Sequence, residues 1–182
     1  KNSSNPKGVV LTFDDGFKDH VDYVLPELIK RGLWGIFYIS TGVYQKKKLL
    51  GVHRVHYLKG RFGSKAILDE AYNHIDHHML DHKTISQFDK EIYTGSNYEK
   101  CEKELRRLFN YFISYEYRDR VLDRLMEVFF NEDNIFKELY LSLDDIKKIG
   151  SAGNIIGSHT LSHRVLSRLS YQEQYEEIND SF

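Results

Sequence analysis

The apolar run Val9, Val10, Leu11 and Phe13 stops at two adjacent aspartates, Asp14 and Asp15, followed by Gly16. A short, nearly unbroken apolar segment marks a strand covered on both faces, as in a parallel sheet with helices packed on either side. The Asp-Asp-Gly group then falls at the carboxyl end of that strand, where α/β barrels gather their catalytic loops. A plain turn is the ordinary use of such a group, because Asp and Gly favour turn backbone angles. The next segments continue an α/β pattern. Val21 to Arg31 reads as a helix with Val24, Leu25, Leu28 and Ile29 on one face and Gly32 as its stop. Pro26 starts the main part of that helix after a short turn over Asp19 to Val24. Leu33 to Ser40 reads as a second buried strand.

The pattern returns far downstream. Leu143, Ile146 and Ile149 mark a short helix, with Ser142 and Asp145 as an imperfect capping box and Gly150 as its end. Asn154 to Ser158 follows as a strand that runs into His159. Strand, helix, strand, then helix, strand make a piece of a β/α barrel with about three of its strands present. His159 and His163 are four residues apart, a spacing that puts both rings on one face of a helical turn. Neutral imidazole is a preferred ligand of zinc-like ions. Two imidazoles and one carboxylate leave a coordination position open, which marks catalytic rather than structural sites, while the second carboxylate stays free to take a proton.

The strings Thr12-Phe13-Asp14-Asp15-Gly16 and His159-Thr160-Leu161-Ser162-His163, the second preceded by Gly157-Ser158, resemble two motifs of the polysaccharide deacetylase family, carbohydrate esterase family four. The resemblance implies that Asp14 is the general base and that Asp15, His159 and His163 hold a divalent metal, zinc first. It implies an α/β fold that is part of a distorted (β/α)7 barrel. Residues 6–43 and 139–182 form the N-terminal part of that barrel, and 44–138 a mainly helical insertion. The implied reaction is hydrolysis of the N-acetyl group of a sugar in a surface polysaccharide or its precursor.

Two later family features have no counterpart. The only prolines are Pro6 and Pro26, so the family's Arg-x-Pro-x-Gly loop is absent, and no histidine follows His163 to protonate the leaving amine. The expectation is that the chain is the first part of a longer catalytic domain and that its true start lies upstream. Two rivals remain open. One is a metal-binding, glycan-recognising module without catalysis; the other is an O-acetyl esterase or small-molecule amide hydrolase on the same scaffold.

The insertion, about ninety residues, is far longer than ordinary α/β connections and needs structure of its own. Leu105, Leu108, Phe109 and Phe112 fall at helical spacing within Glu99 to Ile113, and Val121, Leu122, Leu125, Val128 and Phe129 do so within Tyr117 to Phe130. These two are expected to pair as a helical hairpin. Asp69 to His82 reads as another helix, on which His74, His77, His78 and His82 are solvated side chains rather than a second metal site. His53 and His56 read as structural, with lining of a substrate site as the alternative.

Composition narrows the partners. With 26 basic and 27 acidic residues and a net charge of -1, nothing predicts nucleic acid or an anionic membrane surface. A hydrophobic share of 41% suits a packed core, and the single cysteine, Cys101, rules out an intrachain disulfide. The longest apolar stretch, Leu33 to Ile39, is far short of the roughly 20 residues that span a bilayer. Lys1 to Lys7 has no apolar signal region, which leaves localisation open between cytoplasm and cell envelope.

Overall fold

The computed structural model describes residues 8–88, 92, 93, 95–129 and 132–181. Lys1 to Lys7 and Phe182 lie outside them, as does Phe130, the expected end of one helix. The protein is a mixed α/β chain in two compact units, one from Lys1–Lys48 with Asp133–Phe182 and the other from Leu49–Glu132. The elements begin with β1 (Thr12–Phe13), α1 (Leu25–Arg31), β2 (Ile36–Ile39) and α2 (Gly42–Lys46). Then come α3 (Gly51–Phe62), α4 (Ser64–Tyr72), α5 (His82–Phe88), α6 (Lys100–Arg107) and α7 (Tyr115–Phe129). The last are α8 (Glu132–Leu139), α9 (Leu143–Ser151), β3 (Ile155–Ser158) and α10 (Tyr171–Asn179).

In the first unit the strands form one parallel sheet in the order β1-β2-β3. The register sets Thr12 against Ile36 and Ser158 against Ile39, so all three carboxyl ends point the same way. Phe37 and Ile39 of β2 pack with Val21, Leu25 and Leu28 before and within α1, and with Leu141 and Ile149 around α9. Buried Asn154 joins these layers, since its Oδ1 accepts the Gly35 N–H at 2.9 Å and its Nδ2 donates to the Ile149 carbonyl at 3.1 Å. Satisfying both ends of the amide offsets the cost of burying it.

Several expected elements differ in extent. β1 is a two-residue outer strand rather than a fully covered one, and Val9 is 88% exposed, because β1 has only β2 to pair with among the described residues. β2 starts at Ile36, leaving Leu33 and Trp34 exposed. A π-helical turn over His20–Val24 precedes α1, Pro26 sits in its first turn, and Gly32 closes it at φ 62°, as proline and glycine dictate. Ile29, however, faces solvent. The capping box of α9 is complete, and the helix runs one residue past Gly150.

The second unit is helical. Leu58, Ile67, Ala71, Leu105, Phe109, Leu122 and Leu125 are buried within it, and nearly buried Arg54 pairs with Asp123 at 3.0 Å. Instead of pairing chiefly with each other, α6 packs on α4 and α7 on α3. The helix expected over Asp69 to His82 stops at Tyr72, and a single 3-10 turn follows at His77–Met79. His74 and His82 therefore do not share a helix face, and the His77 and His82 rings instead stack with centroids 4.1 Å apart. His53 is buried on α3, as a structural histidine would be.

Candidate metal centre

Asp15 leaves β1 in a left-handed turn, with φ 75° at Asp15 and 69° at Gly16. Glycine takes this conformation freely, and Asp is among the few other residues that tolerate it. The turn is braced from the segment before α9. The Gly16 carbonyl accepts the Leu141 N–H at 2.9 Å, the Lys18 N–H donates to the Leu139 carbonyl at 2.8 Å, and Phe17 bridges Tyr140. The loop after β3 is held as firmly. The His159 N–H donates to the Ile39 carbonyl at 2.9 Å, and the Ser40 hydroxyl donates to the His159 carbonyl at 2.9 Å.

These supports bring Asp15, His159 and His163 together, with one ligating atom from each within 4.8 Å of the others. Asp15 Oδ1 lies 3.4 Å from Nε2 of His159 and 3.4 Å from Nε2 of His163. That exceeds the usual N–H···O hydrogen-bond length. It matches the separation of about 3.3 Å between two donors on one tetrahedral ion with bonds of about 2.0–2.1 Å. The side chains are 21%, 30% and 34% exposed, which leaves the cluster open to solvent. One carboxylate and two imidazoles are a donor set that zinc and similar divalent ions accept. Among the described residues no other group of three such side chains converges in this way.

Asp14 is not among the three residues of the cluster. It is exposed, directly after the last residue of β1. The histidines do not lie on a helix as their spacing suggested, because the chain from His159 to His163 is a loop with left-handed backbone at Thr160 (φ 62°) and His163 (φ 55°). The Thr160 hydroxyl accepts the His163 N–H at 3.1 Å and so shapes the loop from within.

The family model for polysaccharide deacetylases matches residues 1–119 and 125–181. The chain belongs to the polysaccharide deacetylase family. No curated protein and no solved structure matches it. For a polysaccharide deacetylase the chemistry is, in general terms, hydrolytic deacetylation, and the substrate class is an acetylated sugar. No helix among the described residues is long and apolar enough to cross a membrane.

Three supports of this candidate site carry no signal in the local sequence. Ser40 and Gly42 hold the histidine loop across the sheet, and Glu177 holds it from α10. Each acts through a contact between distant segments, which local periodicity does not report.

Proposed function

We propose that this deacetylase is a metal-dependent hydrolase that removes the N-acetyl group of a sugar in a surface polysaccharide or its precursor. Asp15, His159 and His163 hold a divalent cation, zinc first, and Asp14 is the general base. The observation that carries this reading is the common 3.4 Å separation of Asp15 Oδ1 from both imidazole nitrogens, which suits one shared cation. When bound, such a cation polarises the acetyl carbonyl and lowers the pKa of a coordinated water to about 7 in the case of zinc.

The protein's own groups supply the rest. Asp14, exposed beside Asp15, accepts the proton of the attacking water, a contribution of about 10²-fold to 10⁴-fold. The water oxygen bonds to the acetyl carbon, the carbon–nitrogen bond breaks, and Asp14 returns the proton to the leaving amine. Acetate and a free amino sugar result. The same reading takes the three parallel strands as part of a distorted seven-stranded β/α barrel and Leu49–Glu132 as the core of its helical insertion.

Acetate release from N-acetylated and O-acetylated sugars, with and without a chelator, tests this. Chelator-sensitive release from the N-acetylated sugar is the expected result. Release from the O-acetylated sugar alone would assign an esterase, and cation binding without any release would assign a glycan-recognition module.

A further inference from the structure

α10 inverts its amphipathic pattern. Tyr171, Tyr175 and Ile178 face solvent, whereas Glu177 on the same helix is only 5% exposed. A carboxyl group is rarely buried unless its hydrogen bonds are made. Glu177 makes them in the loop between the two candidate ligand histidines. Its Oε2 accepts the Ser162 N–H at 2.8 Å, its Oε1 accepts the Ser162 hydroxyl, and the Arg164 guanidinium stands 3.7 Å from that second oxygen. The Glu177 carbonyl also accepts the Leu161 N–H at 2.9 Å. One residue thus grips two consecutive loop positions, Leu161 and Ser162, and stands beside Arg164, the residue after His163.

The loop needs such a grip. Thr160 and His163 both have positive φ, a conformation that costs about 1–2 kcal/mol in an L-residue and persists only where the surroundings enforce it. Leu161 is held from both sides, by Glu177 at its N–H and by the Gly42 N–H at its carbonyl, 2.8 Å away.

We propose that Glu177 is a positioning residue of the metal centre. It fixes the loop so that His159 and His163 keep their separation from Asp15, and it thereby sets cation affinity. The inference rests on the metal-centre reading above. Partners that orient metal ligands from outside the coordination sphere are typically worth about 10-fold to 100-fold in metal affinity.

The full chain and its Glu177→Ala, Glu177→Gln, Ser162→Ala and Glu176→Ala variants are titrated with Zn²⁺ against a chromophoric chelator. The visible absorption spectrum of each Co²⁺-loaded form is recorded. Glu177→Ala is expected to bind about 10-fold or more weakly with altered Co²⁺ bands. Glu177→Gln, which keeps an acceptor for the Ser162 N–H, restores most of the loss, and Glu176→Ala, changed at a neighbouring helix position, matches wild type. A folded Glu177→Ala with wild-type affinity and Co²⁺ bands overturns the proposal. If that variant does not fold, Ser162→Ala decides, with weaker binding and shifted bands expected and wild-type behaviour overturning the proposal. A wild type that binds neither ion overturns the metal-centre reading as well. Cation binding lost in His163→Ala but untouched in Glu177→Ala overturns this inference alone.

Discussion

Lys18 Nζ lies 2.6 Å from Asp145 Oδ2, which ties the chain just after the Asp15–Gly16 turn to the first turn of α9. The same carboxylate closes the α9 capping box by accepting the Ser142 N–H at 2.9 Å. Burial alone would raise the Asp145 pKa, but the hydrogen bonds from Lys18 and Ser142 outweigh it and hold the group at about 2.

An acid limb of stability follows from Asp145. Its folded pKa of about 2 lies below the unfolded value, about 3.9. The contribution is therefore complete above the unfolded value and is lost as pH falls through about 2. Thermal unfolding of Asp145→Asn should show a lower Tm near neutrality and a flatter decline between about pH 5 and about pH 2. Ser142→Ala, which removes the other half of the box, should cost about 1 kcal/mol in denaturant unfolding.

His20 predicts a second pH dependence of the opposite chemical kind. It is buried against the rings of Phe13, Phe17 and Phe37, and its Nδ1 has no hydrogen-bond partner among the described residues. Burial pushes its pKa below the ordinary 6.5, while the carboxylates of Asp15, Asp19 and Asp14 pull weakly the other way. Below the ordinary value the unfolded chain takes up a proton that the folded protein refuses, so stability falls as pH drops. His20→Phe should flatten the Tm profile between about pH 7 and about pH 5 relative to wild type. An equal slope in both proteins would contradict this account.

Gly42 is a steric requirement of the histidine loop. A Cβ at this position would lie 2.4 Å from the Leu161 carbonyl oxygen, a backbone atom that cannot swing aside. Gly42→Ala should therefore separate α2 from the loop, destabilise the protein by about 1–3 kcal/mol and weaken cation binding. Calorimetric unfolding and chelator competition on the same sample check both effects.

Much of the α/β frame was readable residue by residue. Ser142 and Asp145 announced α9, Pro26 and Gly32 bracketed α1, and the strand expected over Asn154 to Ser158 is β3, one residue shorter. Where the reading failed, tertiary position overrode local pattern. Val9 and Val10 are apolar yet sit outside the paired part of an outer strand. Asn73 caps the end of α4, short of the His82 to which a helix was expected to run. The convergence of Asp15 with His159 and His163 was legible because both motifs end strands, whereas Glu177 was not, since a glutamate on a surface helix carries no mark of burial.

Asp14 and Asp15 should separate cleanly on mutation. Asp14→Asn is expected to keep cation stoichiometry while lowering acetate release about 10²-fold or more in kcat, because it removes a base and not a ligand. Equal loss of cation and turnover would place Asp14 among the ligands instead.

Cation stoichiometry by elemental analysis of the purified chain, beside His159→Ala and His163→Ala, tests the central claim most directly. One divalent ion per wild-type chain and its loss from both variants is the predicted result. Unchanged stoichiometry in the variants would contradict the assignment of the 3.4 Å cluster as a metal centre.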